Sequence, residues 1–313
     1  MQRNSHLPPR KKDPSYVRAL RTGKTPWRSL VAIAAAFLVF AFITYIAMGP
    51  VATFADTALG QEPFDAANPR ITLGLWVGGN LLIASMIPVA GLLQWVTFGV
   101  RPGRLSSVVG RFRWRWLAEV ALIFVPLWLI FSGISLSLSP VGSPVFSPSS
   151  FVLAAVALVT IPLQAAGEEY LFRGLLMRAV GALFSRQGVA VIVAIAVTSV
   201  GFTVFHAPST GWALTYYLFV AVCFSLLTHL TGGLEASVLA HATGNVTLTL
   251  PILFSGELDE LTATSGPLLL LPMVAMGAAT VLIWWRAKRR GYTPHSGDDT
   301  EPSSAVGLPV GSR

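Results

Sequence analysis

Apolar residues run in long blocks along this chain, and polar residues gather in the stretches between them. Eight blocks stand out, at 29–48, 71–98, 116–138, 151–184, 188–206, 211–230, 234–254 and 267–285. A helix rises about 1.5 Å per residue, so roughly 20 apolar residues cross a hydrocarbon core about 30 Å thick. The blocks therefore predict an all-α, polytopic membrane helix bundle of about eight transmembrane helices over 29–290, between polar tails at 1–28 and 291–313. The tail 1–28 is polar, basic and Pro-containing, and is expected to be disordered. The first block is longer than the roughly 7–15 residues of a signal-peptide core, so it is expected to span. The fourth block is long. It predicts either one tilted helix reaching past the membrane or one kinked at Pro162.

Composition sharpens this picture. Only 12% of residues are charged, about half the share usual in a soluble domain, against 53% apolar. The mean hydropathy is +0.65. The lipid bilayer is thus the expected solvent. The net charge of +8 does not point to nucleic acid, because the basic residues follow a positional rule that a duplex would not require. Placing the N-terminus in the cytoplasm puts Arg3, Arg10, Lys11, Lys12, Arg18, Arg21, Lys24 and Arg28 inside. Arg101, Arg104, Arg111, Arg113 and Arg115 follow on the same side, then Arg173, Arg178 and Arg186, then Arg286, Lys288, Arg289 and Arg290. The exterior keeps Arg70 with Asp56, Glu62, Asp65, Glu257, Asp259 and Glu260. Lys and Arg resist translocation, so a multi-pass protein of the cell (plasma) membrane with both termini cytoplasmic is expected. The stretch Arg104–Trp116 reads equally as a surface amphipathic helix or as a basic loop. Glu119 is expected to pair with a nearby Arg at the interface. Cys223 is the one cysteine, which excludes an internal disulfide and a Cys-based zinc site.

Ionisable groups inside spans cost at least ~2.5–3.5 kcal/mol at the helix centre, which makes three clusters candidates for function. In Gly167-Glu168-Glu169-Tyr170-Leu171-Phe172-Arg173, Glu169 and Arg173 are four apart and share a helix face. Glu168 points about 100° away and is free to act as a general base or acid. The plain alternative is a packing ion pair with one snorkelling acid. Phe202 and His206 share a face of the fifth span, although a lone His at a helix end is more often packed or capping. On the seventh span, His241 and Asn245 are side by side at i,i+4, and both are able to donate to one oxygen. The plain alternative is interhelical hydrogen bonding, which is common in membranes. Helix rise sets Glu168 and His206 level in an antiparallel hairpin, roughly 27–30 Å from its turn, but His241 and Asn245 only roughly 12–18 Å from theirs. The clusters meet only if the hairpin of the fourth and fifth spans protrudes.

The three motifs, in this order and on these spans, resemble those of the CAAX prenyl endopeptidases and bacteriocin-processing (CPBP, or Abi) family. Glu168, Glu169 and Arg173 match EExxxR, Phe202 and His206 match FxxxH, and His241 and Asn245 match HxxxN. The likeness covers a core of about 150–250.

The resemblance implies an endopeptidase with a polar cavity inside the membrane. Glu168 and His206 would activate a water, His241 and Asn245 would stabilise the tetrahedral oxyanion, and Glu169 and Arg173 would hold the constellation in shape. Its substrate would be a membrane protein or a lipidated peptide. Zn²⁺ is the cofactor to be considered, with His206, His241 and Glu168 as its ligands. No HExxH pair is present, and a water activated directly by Glu and His is chemically sufficient. Two rival readings stand beside the peptidase: a transporter or proton relay, and a non-catalytic partner-binding or immunity protein on the same fold. No inverted repeat favours the transporter.

Overall fold

The computed structural model of the protein describes residues 15–21, 26–67, 70–138, 142–256 and 266–295. Eight helices in it are long and apolar enough to cross a membrane. They are α1 (Pro26–Ala58), α2 (Leu73–Phe98), α3 (Trp114–Leu138), α4 (Pro148–Ala182), α5 (Gln187–Phe205), α6 (Gly211–Thr231), α7 (Glu235–Ser255) and α8 (Pro267–Arg290). The expected all-α, polytopic bundle is what the chain forms. Large apolar side chains such as Leu38, Phe54, Leu122 and Val274 point outward, which suits a surface bathed in lipid rather than water.

Two large apolar centres hold the described bundle, beside two smaller ones. Phe40, Met86, Leu171, Phe172 and Phe202 draw α1, α2, α4 and α5 together. Trp116, Phe124, Phe224, Ala240 and Ile283 unite α3, α6, α7 and α8. Helix α4 lies against α7, α2 and α5, so it runs along the seam between the halves. Backbone contact at that seam is close. A Cβ placed on Gly167 would collide with the Ile83 carbonyl of α2, so only glycine fits one residue before Glu168.

Two helices outrun the apolar blocks that announced them. Helix α1 starts at Pro26 and continues past Met48 to Ala58. It passes Pro50 because a π-helical turn, Ile43–Ala47, widens the coil just before it. The wide turn rearranges the carbonyls that the proline, lacking an N–H, cannot serve. Helix α4 is continuous through Pro162, with a second π-helical turn at Tyr170–Leu176.

Several expectations at the basic end of the bundle need correction. Part of the N-terminal tail expected to be disordered is ordered. Tyr16–Arg18 forms a 3₁₀ turn, and Tyr16, Val17 and Leu20 are buried. The Tyr16 hydroxyl donates to Leu105 O at 2.6 Å, its backbone N–H to Pro294 O at 2.6 Å, and Ser15 bridges to His295. The second tail therefore also packs, at least over 291–295. Residues 1–14, 22–25 and 296–313 lie outside the described residues, as do Glu257, Asp259 and Glu260.

The stretch Arg104–Trp116 is a loop and not an amphipathic helix. A short 3₁₀ turn at Pro102–Leu105 runs into it, left-handed Gly110 (φ 78°) lies within it, and α3 starts at Trp114. The loop is pinned by Arg113, whose guanidinium meets Glu235 at 2.8 Å. Arg173 and Arg178, expected on the cytoplasmic side with the basic loops, are both buried in the bundle. Arg178 donates to Gln94 Oε1 at 2.8 Å and Arg104 O at 2.9 Å, beneath the Tyr16 ring. Glu119 does pair with arginines, but they come from α8: Arg286 and Arg290, each at 2.9 Å.

Candidate active site

Helix α4 brings two adjacent carboxylates to the seam, and each takes a different partner set. Glu169 accepts from Arg173 Nη1 at 2.9 Å, within one helix turn. The same Glu169 oxygen, Oε1, lies 3.0 Å from His241 Nδ1 on α7. Arg173 is fully enclosed. It also donates to Ala221 O at 3.1 Å and reaches Ser225 Oγ at 3.4 Å, both on α6. Aromatic faces complete its shell, with Phe202 at 4.4 Å and Phe224 at 5.4 Å from the guanidinium carbon. A buried cation of this kind is tolerable because a carboxylate, a carbonyl and ring faces together replace its water. The π-helical turn starts one residue after Glu169, where such turns often accompany functional sites.

Glu168 faces another way, as the 100° step of the helix requires. Its Oε1 accepts from Gln164 Nε2 at 2.5 Å. Its Oε2 is buried without a hydrogen-bond partner and lies 3.7 Å from His241 Nε2. That gap is too long for a hydrogen bond and suits a bridging water. His241 is thus flanked by both acids, and its ring stacks on Phe224 at 5.0 Å.

His206 caps the end of α5. Its Nδ1 faces Phe202 O at 2.9 Å. A carbonyl only accepts, so Nδ1 carries the proton and Nε2 is left as the basic nitrogen of the neutral ring. The ring is held between Phe202, at 4.3 Å, and Tyr217, at 4.5 Å. Phe202 links the two histidines, its ring centroid 4.3 Å from that of His206 and 5.7 Å from that of His241. The next residue, Ala207, has φ 42°, a left-handed conformation uncommon outside glycine and frequent beside active sites.

Asn245 donates through Nδ2 to Gln164 Oε1 at 3.3 Å. The structure therefore draws Glu168, Glu169, Arg173, Phe202, His206, His241 and Asn245 into one neighbourhood. Counting residues along the helices, Glu168 stands about 21 Å from the α4 end and His241 about 9 Å from the α7 start. The α4–α5 hairpin accordingly extends about 12 Å beyond the α6–α7 turn.

Sequence reasoning missed Gln164, Ser225, Phe224 and Tyr217. Gln164 had a signal, a polar side chain in a span four residues before Glu168. Phe224 and Tyr217 lie seven apart on α6, which looks like ordinary packing in an apolar helix.

The zinc ligand set is only partly assembled among the described residues. Glu168 Oε2 and His241 Nε2 are adjacent, but among the described residues no three His, Cys, Asp or Glu side chains are grouped to hold a metal ion. The Nδ1 contacts of His241 to Glu169 and of His206 to a carbonyl leave both Nε2 atoms open, as they are in zinc-ligating imidazoles.

Fold and site together define a class: a polytopic helical membrane protein with an acid–imidazole–amide centre between its helices. The family model "Type II CAAX prenyl endopeptidase Rce1-like" matches residues 148–247, from the start of α4 to the Asn245 turn of α7. That segment, about a third of the chain, is similar to the Rce1-like domain of the CPBP intramembrane proteases, a family of endopeptidases. No curated protein and no solved structure matches the chain.

Proposed function

We propose that the protein hydrolyses peptide bonds of membrane proteins or lipidated peptides, with a water activated by Glu168 and His206. The observation that carries this reading is Glu168 Oε2, buried and unpartnered beside His241 Nε2. Glu169 Oε2 is also buried without a hydrogen-bond partner, but the Glu169 carboxylate is already paired with Arg173 and His241, so Glu168 is the acid left to take a proton.

In the proposed reaction a water sits by Glu168 Oε2 and His206 Nε2. Its oxygen bonds to the scissile carbonyl carbon while its proton passes to Glu168. The carbonyl oxygen becomes an oxyanion, held by His241 Nε2–H and Asn245 Nδ2–H. Because His241 Nδ1–H is turned to Glu169, donation from Nε2 calls for the imidazolium. Its charge would then balance Glu168 and Glu169 together with Arg173. Collapse breaks the C–N bond, and the departing amine receives the proton from Glu168. Glu169 and Arg173 position His241 and do not meet the substrate. No step needs Zn²⁺. The basic loops support an orientation in the cell membrane with both termini cytoplasmic.

The test is cleavage in proteoliposomes made in ¹⁸O-water, with a farnesylated CAAX peptide and a bundle of unmodified transmembrane peptides as probes. The expected product carries one heavy oxygen in its new carboxyl group. Absence of any product, with proton flux appearing instead under a pH gradient, would replace the peptidase by a proton relay.

A further inference from the structure

We propose that Gln164, which belongs to none of the three motifs, is a positioning residue that sets which oxygen of Glu168 is the base and which way the Asn245 amide faces. The proposal rests on the peptidase reading and deepens it.

The argument is one of donors and acceptors. A glutamine amide has one end that only donates and one that only accepts. Gln164 Nε2 is spent on Glu168 Oε1, a hydrogen bond strengthened by the carboxylate's charge. That fixes Gln164 Oε1 toward α7, where it accepts from Asn245 Nδ2 at 3.3 Å. Flipping the amide would set a carbonyl against the carboxylate and two NH₂ groups against each other, so one orientation wins. Two consequences follow. Glu168 Oε1 is occupied, which leaves Oε2 free toward His241. Asn245 must present its NH₂ end to the cluster, and that end has a second proton to offer an oxyanion. A single buried amide thus ties the proposed base to the proposed oxyanion donor across α4 and α7. It is nearly enclosed, at 9% exposure, so water does not substitute readily for it.

The full chain in nanodiscs carries four asparagines, Asn4, Asn68, Asn80 and Asn245, so selective ¹⁵N-Asn labelling resolves the side-chain amides. Gln164→Met keeps the volume and removes both hydrogen bonds. The Asn245 NH₂ pair is expected to shift and to exchange faster, with the Asn80 pair unmoved. An unmoved Asn245 pair overturns the proposal. Cleavage of the farnesylated peptide gives the kinetic arm. Gln164→Met should lower kcat about tenfold or more and change KM less than about threefold. Gln164→Glu sets a second carboxylate against Glu168, and the acidic limb of its pH–rate profile should move upward by about one pH unit or more. Unchanged kcat and profile in both variants would overturn the proposal. If the unsubstituted protein cleaves nothing while the Asn245 pair still responds, the positioning network stands and the peptidase reading falls.

Discussion

His241 Nδ1 lies 3.0 Å from Glu169 Oε1, and this contact joins two motifs 72 residues apart. The acid that pairs with Arg173 within α4 is the same acid that orients the α7 imidazole. Its role is therefore to hold an already assembled centre, which separates it from its neighbour Glu168. Glu169→Ala would leave Arg173 buried without its carboxylate. Breaking a buried pair in this way costs about 3–5 kcal/mol. Unfolding in mixed micelles should show that loss, together with a poor folded yield. Full stability with lost turnover would reverse the roles of the two acids.

Gly167 tests the seam between α2 and α4. Gly167→Ala pushes a methyl into the Ile83 carbonyl, a backbone atom that cannot swing aside. The expected cost is about 1–3 kcal/mol in unfolding experiments. Gly133→Ala, on α3 with open space around it, should fall within about 0.5 kcal/mol of the parent. Equal effects at both sites would mean that the close approach is not a constraint.

The buried N-terminal turn should make the protein sensitive to alkali. Burial pushes the Tyr16 phenol above its ordinary value of 10.0. The unfolded chain then ionises this tyrosine before the folded chain does. The stabilisation is complete below about pH 10 and is lost as pH rises above it. Tyr16→Phe removes the ionisation along with the hydrogen bond to Leu105 O. The variant should begin less stable, by about 1 kcal/mol, and lose less on going from pH 9 to pH 11. Parallel pH curves for the two proteins would contradict this.

Much of the architecture was legible because lipid demands long apolar helices, and eight blocks appear without ambiguity. The ends were harder to read. The first apolar block stops at Met48, yet a wide turn carries α1 past Pro50 to Ala58. The polar, basic tail looked disordered, since nothing in its composition shows that Tyr16, Val17 and Leu20 have a pocket waiting. Arg178 looked like an interfacial charge, but Gln94, a backbone carbonyl and the Tyr16 ring come together only in three dimensions. At the site, spacing foretold the Glu169–Arg173 pair and the shared face of His241 and Asn245. It did not foretell that Glu169 would reach His241, because helix periodicity says nothing about which partner a side chain meets on another helix.

Turnover should survive chelation. The proposed water activation uses Glu168 and His206 alone, and the described residues gather no three-ligand set. Purified protein treated with 1,10-phenanthroline and dialysed should keep its cleavage rate. Loss of activity that Zn²⁺ restores would return His206, His241 and Glu168 to a metal-binding role.

The central claim is that an acid from α4, an imidazole from α5 and an imidazole–amide pair from α7 form one hydrolytic centre. The most direct measurement is the rate of farnesylated-peptide cleavage in proteoliposomes by Glu168→Gln, beside His206→Ala and His241→Ala, each matched for folded protein. Removal of the general base should slow cleavage by about 10²–10⁴-fold, with comparable losses at the two histidines. Glu168→Gln turning over at the rate of the parent would contradict the account.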